Sequence, residues 1–444
     1  MNNLELDLVN PNTGSPYDTV VFAGENGTGK TSILSSLNTF LCLGSFSSFE
    51  YIEYEVNGNI FTARKPKKAG DSQYGYYERF DHQDNSITQI ISSLNINRST
   101  IDNDNFDIRH YGSVYSKARA DYKANPIKGT TSLEMDKEIY DKDEQEDFTR
   151  LKQLVVDLES DDNGDLKELH ENNIRQQIDY EAFRHSSRMF RFRTAFDNFF
   201  EKIKYKKVAS QNGQKSVLFE KNNKTVEIDN LSTGEKQIVY RGIYLLRNVG
   251  KLDGAAVMVD EPELSMHPKW QKRILKYFKD LFTDDQNKQK VQLFFATHSE
   301  YVLGEALKDQ TNTLVVVLND NNGTIEKREI KTPLVLPTIT ASEINYAAFD
   351  VPSIDYHIAL YGAIQSKYNK HNITACDQFI QTQCAPYYVQ ATHGVVTNYG
   401  GNTYNTLPTK IRNHIDHPDN PYTFTDDELK TSIVLMRDIL ENNP

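Results

Sequence analysis

The chain has 444 residues, more than one ordinary hydrophobic core accommodates, so two or three packed units are expected. Charged residues make up 25% and hydrophobic ones 38%, a globular balance, and no apolar run reaches the length of a membrane helix. The net charge of −12 argues against a nucleic-acid coat over the whole surface, and the three cysteines (Cys42, Cys376, Cys384) are too few for a disulfide framework. Met1-Asn2-Asn3-Leu4-Glu5 lacks the basic and apolar regions of a signal peptide, so a cytoplasmic protein without membrane contact is expected.

A first strand is expected to end at Val9, with a turn rich in Pro, Asn, Gly and Ser from Asn10 to Pro16. Thr19-Val20-Val21-Phe22-Ala23 reads as a buried strand running into a Gly-rich stretch, after which Ile33, Leu34, Leu37 and Phe40 fall at helical spacing. Residues 51–62 alternate about Asn57-Gly58, a dipeptide suited to a type I′ hairpin turn, and residues 217–228 resemble a second hairpin around Asn222-Asn223. Both hairpins are expected in antiparallel sheets beside a parallel core. From about 133 to 200 the pattern is helical, with Phe148, Leu151, Leu154, Val155 and Leu158 in one stripe. Asp161-Asp162-Asn163-Gly164 is expected to break that helix, and a second to resume at Asp165. Residues 255–259, 291–295 and 312–318 are further buried strands, and beyond about Lys331 the pattern turns polar, helical and tyrosine-rich.

Gly24-Glu25-Asn26-Gly27-Thr28-Gly29-Lys30-Thr31 fits G-x-x-x-x-G-K-S/T between a strand and a helix. Such a loop turns its N–H groups inward on phosphate oxygens, and the helix adds its positive N-terminal end. Gly24, Asn26, Gly27, Thr28, Gly29 and Ser32 are therefore expected around the phosphates of ATP, with Lys30 reaching the β- and γ-phosphates and Thr31 ligating Mg²⁺. Asp260-Glu261 follows an apolar strand, which suits Asp260 to the metal and Glu261 to the attacking water, although a pair of exposed acids at a strand end reads the same way. His298, after the next strand, is placed to sense the γ-phosphate.

Leu231-Ser232-Thr233-Gly234-Glu235-Lys236-Gln237 resembles the signature sequence of ABC-type ATPases, in the LS-x-GE-K form of the SMC-like and RecF-like branch. The resemblance implies that Ser232, Gly234 and Glu235 meet the nucleotide of an opposite subunit, so a homodimer or higher homo-oligomer through the ATPase heads is expected. The same residues also read as a helix N-cap with Glu235 completing a capping box, and the two readings are compatible. The stretch from Asp260 to Pro268 is similar to that of the phage-defence ATPases of the overcoming-lysogenisation-defect-like, PtuA-like and PrrC/RloC-like groups. No Q-loop glutamine is assigned. The expected fold is an α/β ABC-type P-loop ATPase head with a short helical insertion and a mainly helical C-terminal domain. Its parts are 1–130 (first ATPase part), 131–205 (insertion), 206–330 (second ATPase part) and 331–444 (effector or interaction domain).

The C-terminal region lacks the Toprim pattern of the overcoming-lysogenisation-defect nucleases. Arg412-Asn413-His414-Ile415-Asp416-His417 resembles the motif of HEPN ribonucleases, which implies RNA cleavage by Arg412 and His417 without a metal; the alternative is a surface helix ending at Pro418. Tyr356 and His357 form a candidate second polar cluster. Arg184, Arg188, Arg191 and Arg193 interleave with Phe183, Phe190, Phe192 and Phe196, either as an amphipathic helix with a solvated basic side or as a face for RNA or DNA. The functional expectation is an anti-phage ATPase gating a toxic effector, which is its own RNase region or a separate nuclease or toxin. A RecF-like DNA repair ATPase is the third reading.

Overall fold

The run Thr19–Gly24 is buried at every position, as a strand covered on both faces must be, and forms β1 at the centre of the fold. The computed structural model describes residues 4–43, 46, 48–65, 76–91, 103–118, 126–131, 140–142, 148–172, 180, 183, 187–211, 213–246, 253–284, 286 and 288–442. They divide into two compact units, Met1–Lys327 and Arg328–Pro444.

In the first unit, helix α1 (Lys30–Leu43) follows β1. Strands β2 (Tyr51–Val56), β3 (Asn59–Arg64), β4 (Tyr76–Asp81) and β5 (Ile87–Ile91) form an antiparallel sheet. Its first turn has positive φ at Asn57 (53°) and Gly58 (80°), which a type I′ hairpin requires. Two short strands, β6 (Ser113–Ser116) and β7 (Tyr140–Lys142), then join the central sheet. Helices α2 (Thr149–Asn172) and α3 (Arg188–Phe199) precede a second antiparallel sheet of β8 (Ile203–Gln211), β9 (Gln214–Lys221) and β10 (Lys224–Glu227). The chain continues through α4 (Thr233–Leu246), β11 (Ala256–Asp260), α5 (Pro268–Leu281), β12 (Gln292–Thr297), α6 (Glu300–Ala306), β13 (Thr313–Asn321) and β14 (Thr324–Glu329).

The central sheet has the order β14-β13-β1-β12-β11-β6-β7. From β13 to β7 every neighbouring pair is parallel. The register aligns Ala23 with Thr297 and Asp260 with Ala296, so the chemistry-bearing ends of β1, β11 and β12 lie side by side. The carboxyl edge of a parallel sheet is where such folds take ligands.

Three expectations need correction. Among the described residues no strand ends at Val9; that residue meets Pro16 in a single antiparallel bridge, while Leu4, Leu6 and Leu8 pack on the core without a ladder. Tyr140–Lys142 is strand rather than helix, pairing parallel to β6, whereas residues 132–139 lie outside the described residues. The cluster Asp161-Asp162-Asn163-Gly164 does not break α2, which runs on to Asn172. Asp162 instead accepts bonds from the Ser187 hydroxyl and, at 3.0 Å, from the Met189 N–H, so its breaker chemistry is used at the start of α3.

The second unit packs α7 (Ala341–Phe349), α8 (Ile354–Lys367), α9 (Ile373–Gln383), the short α10 (Gln390–His393), α11 (Leu407–Asp416) and α12 (Asp426–Asn442) with one hairpin, β15 (Gly394–Tyr399) and β16 (Asn402–Thr406). Tyr356, Leu360, Ile364, Ile380, Ile411, Ile433 and Met436 centre its core.

Candidate nucleotide site

Gly24 ends β1 at φ 135°, and a Cβ there would stand 2.2 Å from the Leu318 carbonyl oxygen, so only glycine turns the chain here. Asn26 and Gly27 are exposed at the loop tip, Gly29 is half-buried, and the Thr28 hydroxyl closes the loop on the Glu25 carbonyl at 2.9 Å. Lys30 is only 5% exposed, and its ammonium donates to the Gly24 and Glu25 carbonyls at 2.8 Å each. Burial lowers its pKa, against the pull of Glu261, Asp260 and Glu263. Thr31 and Ser32 are exposed on the first turn of α1.

The Thr31 hydroxyl lies 2.9 Å and 3.2 Å from the two Asp260 carboxylate oxygens. Burial raises the pKa of Asp260, and the Thr31 bond opposes that shift. A hydroxyl and a carboxylate brought together beside a phosphate loop are hard oxygen donors that fit Mg²⁺. Glu261, next in sequence, takes φ 44°, a left-handed setting unusual for a non-glycine residue. Its N–H donates to the Ala296 carbonyl at 2.9 Å, and its carboxylate lies 3.3 Å from His298 Nε2. Burial and the Lys30 charge lower the pKa of His298 while Glu261 opposes them, so the imidazole is held in its neutral form.

Two residues of this site, Tyr115 and Arg241, carried no sequence signal, and a third, Glu263, lay inside the Asp260–Pro268 resemblance without a role of its own. Tyr115, on β6, donates its hydroxyl to Asp260 at 3.2 Å. Glu263, 9% exposed, accepts from the Thr297 hydroxyl at 2.7 Å and from the His298 N–H at 2.8 Å, fixing the end of β12. Arg241, on α4, donates to the carbonyls of Asp260 and Glu261. The strand carrying Tyr115 is too short to show a period, and the second Glu of Asp-Glu-Pro-Glu looks like a surface charge. Arg241 falls on a helix buried all round, so no polar face marks it.

Ser232, Gly234 and Glu235 gather at the start of α4. Glu235 accepts from the Ser232 N–H at 2.8 Å, and its own N–H reaches the Ser232 hydroxyl at 3.4 Å, a reciprocal capping box. Its buried carboxylate also pairs with Lys221 at 2.8 Å, so it is committed within the chain. Gly234 allows close approach, since a Cβ there would lie 2.8 Å from the Ser265 carbonyl oxygen.

Arg412 and His417 lie in the second unit. Arg412 is engaged on its own helix by Asp416, at 2.5 Å. His417 caps the C-terminus of α11, exposed, its ring 4.8 Å from that of Tyr399. Tyr356 and His357 are buried in the core, so they do not form a polar surface cluster with Arg412; core packing outweighs their polarity. On α3, Phe192, Phe196 and Phe199 face inward, and Phe196 packs on Phe200 and Phe219, which removes those rings from any base-stacking role; Arg184 lies outside the described residues.

A parallel sheet with a phosphate loop after β1, an acidic turn after β11 and a histidine after β12, completed by a separate signature segment, defines a P-loop ATPase of the ABC/SMC-like type. The chain belongs to the AAA_21 family, described as "AAA domain, putative AbiEii toxin, Type IV TA system". The match spans residues 76–304, just over half of the chain, taking in the signature segment, the acidic turn and His298. No curated protein matches. Among solved structures, the chain is similar to an SMC head bound to the C-terminal winged-helix domain of ScpA, with 13% identity over 72% of this chain and 92% of that one, at a TM-score of 0.36. It is also similar to the SMC head domain from Thermotoga maritima (13% identity, 71% and 92% covered, TM-score 0.35). A third is an SMC head from Pyrococcus furiosus with an extended coiled coil, bound to the C-terminal domain of ScpA (11% identity, 71% and 92% covered, TM-score 0.35). Among the described residues no helix is long and apolar enough to cross a membrane.

Proposed function

We propose that the protein binds ATP with Mg²⁺ at the carboxyl edge of its parallel sheet and hydrolyses it between two heads. The nucleotide state then gates a toxic output in defence against phage. The observation that carries this reading is the convergence of Lys30, the Thr31–Asp260 pair and the Glu261–His298 pair on three adjacent strand ends. Lys30 binds the β- and γ-phosphates with the loop N–H groups. Thr31 and Asp260 would hold Mg²⁺, and the ion would supply neutralisation of the phosphate charge. Glu261 takes the proton of the attacking water, and the single N–H of neutral His298 donates to Glu261 without nucleotide and to the γ-phosphate once ATP is bound. Ser232 and the N–H groups around Gly234, at a helix N-terminus, complete the site of a second subunit.

The toxic output is supported by the family's description as a putative AbiEii toxin of a toxin–antitoxin system. Its carrier is a separate nuclease or toxin held by this ATPase, a reading favoured by the burial of Tyr356 and His357, which leaves Arg412 without the polar cluster a ribonuclease site would need. The test compares the wild type with Lys30→Ala for ATP turnover, phage plating and growth of cells carrying the complete locus. Lys30→Ala should lose turnover and protection together. Unchanged turnover sinks the ATPase assignment, and lost turnover with full protection sinks the defence role.

A further inference from the structure

Arg241 is 3% exposed midway along α4, yet its three hydrogen-bond acceptors are all backbone carbonyls. Nη1 donates to Glu261 at 3.1 Å, and Nη2 donates to Asp260 at 2.8 Å and to Lys117 at 2.5 Å. One planar guanidinium thus holds the ends of β6 and β11 and the first residue of the acidic turn. That fork geometry is specific to arginine.

The turn it grips is strained. Glu261 at φ 44° sits where L-residues pay a steric penalty. Its conformation is fixed by the N–H bond to Ala296 at 2.9 Å, the Leu264 N–H at 3.2 Å on its carbonyl, and Arg241 on that same carbonyl. Removing Arg241 releases one of these restraints on the residue that faces His298. The same helix also touches the far end of the turn, where Gly234 abuts the Ser265 carbonyl. So α4 contacts the acidic turn twice, once in its first turn and once at Arg241.

The first turn of α4 is the signature segment. A hydrogen-bonded helix moves as a rigid element, so displacement of its N-terminus is delivered to Arg241. Gln237 is one helical turn before Arg241 on the same face. Both of its side-chain amide atoms, and Arg241 Nε, are buried and lack a hydrogen bond among the described residues. Buried polar atoms left in this state cost stability, and they give this layer a second set of bonds to adopt when the helix shifts.

We infer that Arg241 is a positioning residue that couples the two nucleotide sites of the dimer: nucleotide engaging Ser232 and Gly234 of one subunit sets the Glu261 turn of that subunit's own site, through α4 and Arg241. The inference rests on the composite-site reading above. It adds a route, α4 and Arg241, by which nucleotide held on one subunit's phosphate loop acts on the Glu261 turn of the other.

Two variants test it. Arg241→Lys keeps the charge without the fork, and Arg241→Gln keeps donors without the charge. The readouts are ATP–Mg²⁺ affinity, ATP-dependent dimerisation by light scattering, and turnover as a function of ATP concentration, with circular dichroism to verify the fold. The wild type should hydrolyse ATP cooperatively, with a Hill coefficient above one. Both variants should bind ATP within about twofold of wild type and dimerise, while kcat falls by about tenfold and the Hill coefficient drops to that set by dimerisation alone; residues along a coupling route typically modulate it by about 0.5–2 kcal/mol, or about 2- to 30-fold. A merely structural role would lower ATP affinity and kcat together, and that result overturns the inference. So does a folded Arg241→Lys with wild-type kcat and Hill coefficient. A wild type that hydrolyses ATP without cooperativity overturns the coupling alone, whereas one that binds ATP and never turns it over overturns the hydrolysis reading as well.

Discussion

The Thr31 hydroxyl and the Asp260 carboxylate meet at 2.9 Å across 229 positions of sequence, and the Tyr115 hydroxyl lies 3.2 Å from the same carboxylate oxygen. Asp260 is thereby oriented before any metal arrives, at the expense of burying its charge beside Glu261. Asp260→Asn keeps the size and loses the charge. Mg²⁺ should then no longer strengthen ATP binding, and turnover should fall by about 10²-fold or more, since a metal's charge stabilisation is worth several kcal/mol. The nucleotide-free variant should melt at a higher temperature than wild type, because like-charge repulsion is relieved. Calorimetric ATP titrations with and without Mg²⁺ check the first claim. An undiminished Mg²⁺ effect removes Asp260 from the metal site.

Glu261 and His298 are 3.3 Å apart. Glu261→Gln should cut kcat by about 10²- to 10⁴-fold while leaving ATP bound, so an ATP-dependent dimer should accumulate on size exclusion. The pH profile carries the histidine. His298 has its pKa lowered by burial and by Lys30, so it stays neutral until the pH falls below its ordinary value of about 6.5. The acid limb of kcat should therefore lie below about 6.5. An acid limb at or above that value, lost in His298→Gln, would mean that the neutral imidazole titrates above its ordinary range, and a basic limb lost in the same variant would mean that a protonated imidazole does the work.

The candidate nucleotide site was legible because its motifs state backbone requirements directly: glycines where φ is positive or space is absent, acids at the ends of apolar runs. Gly24 illustrates this, since a side chain there meets Leu318. What stayed hidden was relational. Arg241 and Tyr115 matter through carbonyls and a carboxylate brought near by the sheet order, which no local pattern encodes. The expected break at Asp161-Asp162-Asn163-Gly164 failed for a similar reason: Asp162 is a tertiary cap for α3, and its turn-forming tendency is spent there. Tyr356 and His357 looked functional in the sequence because polar side chains on a helix look alike whether they face a site or a core.

Arg412 pairs with Asp416, both partly exposed, and an ion pair of that kind contributes about 0–1 kcal/mol. Arg412→Ala and His417→Ala should therefore leave the fold and melting temperature nearly unchanged. If the toxic output belongs to a separate protein, neither substitution alters RNA cleavage by the purified chain or growth arrest in cells. Loss of RNA cleavage in both variants, with the fold intact, would return the ribonuclease to this chain.

His357 is fully buried on α8, its Nε2 2.9 Å from the Ser432 hydroxyl on α12. Burial pushes its pKa down to about 3. An unfolded histidine titrates near ~6.5, so between about 6.5 and about 3 the unfolded chain binds a proton that the folded chain refuses. Stability therefore rises with pH across that window. As the pH falls below about 6.5 the C-terminal unit should lose stability with a limiting slope of ~1.4 kcal/mol per pH unit, and no such slope should appear above it. His357→Gln can still reach Ser432 but does not titrate, so it should flatten the slope. Amide hydrogen exchange in α8 and α12 at about pH 5 and about pH 7, corrected for intrinsic rates, measures both variants. Equal slopes would show that the proton uptake belongs to another group.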